Sequence, residues 1–321
     1  MQRRTLLASA LALPFVSRAW AQDDPFAAFA EAHDQFHAIL VRKGDTLIHE
    51  KAYRGPGLDA LANIKSCSKS MVALLLGCAI DRDEVALDAT LGDVAPRLIP
   101  SGADPQVADI TLGDLASLRA GLERTSGPNY GAWVASSNWV RDALSRPMVA
   151  EPGGRMLYST GSTHVLGAAL AEATGLTLLE QARTRLGRPL DIDIPPWTRD
   201  PQGFYLGGNQ MALTPRAMLR VALAMRDGGV WDGTQVIPAD WVETSVQPLT
   251  RSPYSGLSYG YGWFLSPTGW ALARGYGGQI IAFHADRDIA AAITSDPNRP
   301  ARSQGYFGAL MDLLDGPVLS V

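Results

Sequence analysis

Ser66-Cys67-Ser68-Lys69-Ser70-Met71-Val72-Ala73-Leu74-Leu75-Leu76-Gly77-Cys78-Ala79-Ile80 puts a hydroxyl and an amine at the head of an almost wholly apolar run. Ser66 and Lys69 stand three residues apart, so a helix carries them on one face. From Met71 onward the run leaves no wet face, and a helix apolar all round is buried. An amine at the end of a core helix is costly unless it has a task. A serine hydroxyl is a poor nucleophile at neutral pH, and an adjacent base activates it. Lysine serves as that base only when its pKa falls from about 10.4 toward 7, which burial and neighbouring positive potential achieve. The helix N-terminus supplies roughly half a positive charge. The alternative, with Ser66 as a plain N-cap and Lys69 as surface decoration, needs a polar face that the segment lacks. The stretch predicts a core helix headed by a Ser-Lys hydrolytic pair.

Working outward, Arg3-Arg4 precede an apolar run from Thr5 to Val16, and Ala19-Trp20-Ala21 resembles a small-x-small cleavage site. That run is too short to span a bilayer. Residues 1–21 therefore read as a removable export signal, with the paired arginines and Arg18 pointing to a twin-arginine route. The expected product, residues 22–321, is periplasmic or secreted. Its loss of Arg3, Arg4 and Arg18, and of no acid, moves the formal charge from -4 to -7. An acidic balance disfavours nucleic acid and anionic membrane as partners. No other segment is apolar for long enough to cross a membrane. Cys67 and Cys78 are the only cysteines. On one helix they lie about 16 Å apart, beyond the roughly 7 Å a disulfide allows, so both read as buried apolar residues.

Residues 24–33 read as a helix, and Phe36 to Val41 with Thr46 to Tyr53 as a hairpin around Lys43-Gly44-Asp45. Thr111-Leu112-Gly113-Asp114 has the form of a capping box, and His164 to Thr174 reads as a helix stopped by Gly175. A further helix starts at Thr214-Pro215 and closes at Gly228-Gly229. Strands are expected at Tyr259 to Leu265, Trp270 to Arg274, Gln279 to His284 and Ile289 to Thr294, then a helix from Ser303 to Leu314. Strands at both ends with helices between them predict an α+β fold with one antiparallel sheet built from both termini. The expected division is an α/β lobe from residues 24–80 and 211–321 and a mainly helical lobe over residues 81–210.

Two later segments complete the constellation. Tyr158-Ser159-Thr160 follows the loop Glu151-Pro152-Gly153-Gly154, and Tyr276-Gly277-Gly278-Gln279 opens a late strand. With Ser66-x-x-Lys69, this order resembles the serine β-lactamase/penicillin-binding-protein superfamily, in particular its class C-like branch with family VIII esterases and 6-aminohexanoate-dimer hydrolases. The resemblance covers residues 35–315 and includes Ile110-Thr111-Leu112, Ala120-Gly121-Leu122 and the stretch from Gly208 to Pro215. It implies a β-lactamase/transpeptidase-like fold, Ser66 as the acylated nucleophile, Lys69 as its base and Tyr158 as a second proton-transfer group. It further implies an oxyanion hole from the amides of Ser66 and Gln279, and substrate contacts at Thr160, Tyr276, Gly277 and Gly278. A phenol beside an amine also makes independent sense as a proton shuttle to a leaving group.

Two positions depart from that family's pattern. Thr160 stands where Asn is usual, and Tyr276 where a Lys helps to recognise a substrate carboxylate; a neutral phenol supplies no such charge. Hydrolysis of an ester or small amide is therefore expected ahead of penicillin turnover. A true β-lactamase or D-alanyl-D-alanine carboxypeptidase is the second reading, and a non-catalytic ligand-binding relative the third. His33 and His37 share a helical spacing without a third ligand, His164 and His284 read as core or rim residues, and Trp133, Trp139 and Trp197 as core or pocket wall. Nothing in the sequence calls for a metal or an organic cofactor.

Overall fold

The computed structural model describes residues 24–321; the expected export signal lies outside the described residues. The chain starts with helix α1 (Pro25–Ala32), capped by the Asp24 carboxylate. The hairpin β1 (Phe36–Lys43) and β2 (Thr46–Ala52) follows, and then α2 (Cys67–Asp81). Residues 81–210 form short helices such as α3 (Leu112–Ala116), loops and one long helix, α4 (Thr160–Thr174). Helix α5 (Pro215–Arg226) leads into the remaining strands of the large sheet: β3 (Thr250–Arg251), β4 (Ser258–Tyr259), β5 (Phe264–Leu265), β6 (Ala271–Arg274), β7 (Ile280–His284) and β8 (Ile289–Ser295). Helix α6 (Tyr306–Leu313) comes last.

All eight of these strands join one antiparallel sheet in the order β2-β1-β8-β7-β6-β5-β4-β3. The early hairpin thus pairs with the last strand, as expected of an α+β sheet built from both ends. The sheet is covered on both faces, and side-chain alternation sorts its residues between them. Ile281, Phe283, Ala290 and Ala292 join the core around α2 and α5. Ile280, Ala282, Ile289, Ala291 and Ile293 join that around α1 and α6. Helix α2 is buried at every position from Cys67 to Ala79, which explains its lack of a polar stripe. Cys67 and Cys78 are free and buried.

The capping box at α3 forms as expected, with Thr111 and Asp114 bonding reciprocally. Three local expectations change. Tyr259 to Leu265 is a hairpin rather than one strand. Gly262, at φ +87°, turns the chain, and Gly260 leaves room for the Ser245 carbonyl where a Cβ would collide. Helix α4 begins at Thr160 rather than His164, so the Tyr158-Ser159-Thr160 segment runs straight into its first turn. The last helix begins at Tyr306 rather than Ser303. Among the described residues, no helix is long and apolar enough to cross a membrane.

Candidate active site

Ser66 occupies the N-cap position of α2, yet its side chain caps no backbone amide. Its hydroxyl is therefore not committed to holding the helix. One turn on, Lys69 is only 3 % exposed. Its Nζ lies 3.2 Å from Ser66 Oγ, 3.1 Å from Thr160 Oγ1 and 2.7 Å from the Gly208 carbonyl oxygen. It also sits over the Tyr158 ring, 5.1 Å from the centroid. Burial draws the Lys69 pKa down from 10.5 to about 7, opposed in small part by the Cys67 thiol.

Tyr158 moves the other way. Burial pushes its phenol above the ordinary value of 10, while a hydrogen bond with Ser66 and the positive charge of Arg274 hold it back in part. Arg274 is itself lowered to about 10 by burial. It donates to the Ala301 carbonyl at 2.6 Å and to Ser303 Oγ at 3.1 Å, and its guanidinium lies 3.5 Å from the centroid of the Phe307 ring. At neutral pH the site thus holds a lysine poised to lose its proton and a tyrosine that keeps one.

The third segment is a tight turn joining β6 to β7, closed by the Gly275 amide donating to the Gln279 carbonyl at 2.8 Å. It packs beside the head of α2, where Cys67 Sγ donates to the Gln279 carbonyl at 3.4 Å. The Gln279 side chain points inward: Nε2 donates to the Ser295 carbonyl at 2.9 Å, and Oε1 accepts from the Gly277 amide at 3.1 Å. The backbone amides of Ser66 and Gln279 donate to no protein acceptor among the described residues. Two unspent amides on adjoining segments beside a hydroxyl match the donor set that an oxyanion requires.

The structure brings Ser66, Lys69, Tyr158 and Thr160 together and sets the Tyr276–Gln279 turn next to them. Tyr276 is 56 % exposed, whereas Thr160 is buried with its hydroxyl between Lys69 Nζ and Ser126 Oγ. The two glycines have a packing reason of their own. A Cβ on Gly277 would run into the Asp296 carbonyl, and one on Gly278 would meet Tyr306 and Leu310. Gly277→Ala is accordingly expected to cost about 1–3 kcal/mol of stability, read as a lower midpoint in urea unfolding.

Three contributors escaped the sequence reading: Ser126, Arg274 and the Gly208 carbonyl. Gly208 does fall in the Gly208 to Pro215 stretch quoted above, but a backbone oxygen has no residue-type signature. It is placed from the side by His164, whose Nε2 meets Asp200 Oδ2 at 3.1 Å while Nδ1 accepts from the Gly207 amide at 3.4 Å. Trp133 and Trp139 are buried against His164, as core rather than pocket wall. Trp197 lies tilted against Tyr205, with ring centroids 4.6 Å apart, and donates to the Leu206 carbonyl at 2.9 Å. His33 ends α1 while His37 lies on β1, so the two are on different elements. No cluster of three His, Cys, Asp or Glu side chains suited to a metal occurs among the described residues.

A family profile described as Beta-lactamase matches residues 37–310. The chain belongs to the Beta-lactamase family. Over 224 residues it is 27% identical to the 6-aminohexanoate-dimer hydrolase of Paenarthrobacter ureafaciens, which covers 64% of this chain and 56% of that protein. With esterase EstB of Burkholderia gladioli it shares 28% identity over 168 residues, 48% of this chain and 43% of the esterase. The chain spans about half the length of these curated relatives. Among solved structures, EstCE1, described as a hydrolase with promiscuous acyltransferase activity, superposes with a TM-score of 0.75. That match has 17% identity and covers 91% of this chain and 97% of EstCE1, so the two chains share a fold.

Proposed function

We propose that this Beta-lactamase family member is a serine hydrolase that cleaves an ester or small amide through an acyl-enzyme on Ser66. The observation that carries the proposal is the buried Lys69 amine, 3.2 Å from Ser66 Oγ and with a pKa near 7. A neutral amine has two N–H donors and one lone pair. The Gly208 carbonyl can only accept, so it takes one N–H, and Thr160 Oγ1 is placed to take the second. The lone pair is then left for the Ser66 hydroxyl. Lys69 accepts that proton as Ser66 attacks the substrate carbonyl, and the Ser66 and Gln279 amides stabilise the negative oxygen. Tyr158, still protonated at neutral pH, hands a proton to the leaving group and is reprotonated from Lys69. Water then attacks the acyl-enzyme with the same groups in reverse order.

The neutral, exposed Tyr276 favours substrates without a required carboxylate contact at that point. Names of the relatives, a 6-aminohexanoate-dimer hydrolase and an esterase, support the same class. Export by way of residues 1–21 belongs to this proposal, and the N-terminal sequence of protein recovered from periplasm or medium checks it.

The test is the pH dependence of kcat/KM on p-nitrophenyl acetate, with nitrocefin in parallel. Because the base must be neutral, activity is expected to rise tenfold per pH unit on the acid side and to level off above about pH 7. Ester turnover is expected to exceed nitrocefin turnover by at least tenfold. A limb near pH 4 would instead assign the base to a carboxylate, and nitrocefin as the better substrate would favour the β-lactamase reading.

A further inference from the structure

Thr160 departs from the family pattern, and the structure shows what its hydroxyl does in place of an Asn amide. Thr160 Oγ1 lies 3.1 Å from Lys69 Nζ and 2.9 Å from Ser126 Oγ, and the Thr160 amide donates to that same Ser126 Oγ at 2.8 Å. An amide can only donate, so one lone pair of Ser126 is committed to it. The other lone pair is free to take the Thr160 hydroxyl proton, which leaves Thr160 Oγ1 as an acceptor facing Lys69. The preceding residue fastens the arrangement. Thr125 Oγ1 accepts from the Gly161 amide at 2.7 Å, and the Thr125 amide donates to Ser159 Oγ at 3.1 Å. Residues 125 and 126 are thus stitched to the N-cap and first turn of α4 by five hydrogen bonds.

We propose that Ser126, acting through Thr160, is a positioning residue that aims the Lys69 lone pair at Ser66. This rests on the acyl-enzyme reading above. By orienting the Thr160 hydroxyl proton away from Lys69, Ser126 keeps that proton from competing for the lone pair. Without Ser126, the Thr160 hydroxyl turns its proton onto Lys69, and the amine is tied up facing the wrong neighbour. The other groups facing Lys69 are the Tyr158 ring, the Cys67 thiol, the Gly208 carbonyl and the Ser66 hydroxyl. No carboxylate of the described residues forms an ion pair with Lys69. Hydroxyl and carbonyl groups therefore set its orientation.

The experiment measures the rate of Ser66 phosphonylation by a fluorophosphonate against pH, which reads the Ser-Lys pair without a natural substrate. Ser126→Ala, at a half-exposed position, and Thr160→Val, at a buried one, are compared with Thr160→Ser. Both Ser126→Ala and Thr160→Val are expected to slow phosphonylation about 10- to 100-fold. Both are expected to move its acid limb below that of the parent, because each disfavours proton uptake by Lys69. Thr160→Ser restores the hydroxyl and is expected to stay within about threefold of the parent. Should Thr160→Val fail to fold, Ser126→Ala decides alone. Parent-like rates and an unmoved limb in Ser126→Ala would overturn the proposal, as would a rise in ester KM with phosphonylation unchanged, which marks a substrate contact. A parent that is never phosphonylated would overturn the acyl-enzyme reading instead, so the two failures are distinct.

Discussion

Ser66→Ala is expected to lower ester kcat on the order of 10⁴- to 10⁶-fold, the range seen when a nucleophile that works as a unit with its base is removed, while leaving thermal stability nearly unchanged. Both halves follow from the same local geometry. The hydroxyl caps no amide of α2, so the helix loses no terminal hydrogen bond with it. Its neighbour Lys69 keeps its bonds to the Gly208 carbonyl and Thr160. What disappears is the hydroxyl oxygen placed 3.2 Å from a deprotonatable amine at the head of α2. Steady-state kinetics with a p-nitrophenyl ester, alongside a melting curve, separates this from the structural alternative. A structural N-cap serine would show about 1 kcal/mol of lost stability and little lost activity.

Lys69→Met gives the second large effect, and its two readouts move in opposite directions. Activity is expected to fall at least 10³-fold, because general-base assistance of this kind contributes about 10²- to 10⁴-fold and the amine also orients Ser66. Stability relative to the parent is expected to rise as the pH is lowered. In the folded parent Lys69 loses its proton near pH 7, and in the unfolded chain near 10.5. Between those values the unfolded chain holds a proton that folding must expel, so the parent loses stability as the pH falls from about 10.5 toward 7, and no more below that. At about 1.4 kcal/mol per pH unit this amounts to about 5 kcal/mol over the window. Lys69→Met removes the penalty, at the cost of leaving Gly208 and Thr160 without their partner. Urea unfolding of both proteins at pH 7 and pH 10 checks the sign. A stability difference independent of pH would mean that Lys69 is charged in the folded state and unfit as a base.

The sequence carried the frame of this site because its parts are residue types under strong physical constraint. An apolar run with a Ser-x-x-Lys head has few stable placements, and α2 adopts the buried one. Near-continuous apolar runs mark β1, β7 and β8 closely, since each is packed between helices on both faces. Tyr259 to Leu265 reads as one strand because aromatic and aliphatic residues run through it with no polar break. What breaks it is Gly262 at positive φ and the approach of the Ser245 carbonyl to Gly260, a contact more than ten residues away in sequence. The sequence places the start of α4 four residues late because Thr160, Gly161, Ser162 and Thr163 are poor helix formers; burial and the Thr125–Ser126 contacts override that preference. For the same reason Ser126 was invisible: its role depends on lying across from Thr160, which is 34 residues later. Arg274 was read only as the end of a strand, and nothing in one dimension places it near Tyr158.

The most direct test of the central claim, an activated nucleophile at Ser66, is the intact mass of the purified protein after incubation with a fluorophosphonate, with Ser66→Ala alongside. The account predicts a single adduct that maps to Ser66 and is absent from the variant. A folded protein that gains no adduct, or one that gains the same adduct without Ser66, would contradict it.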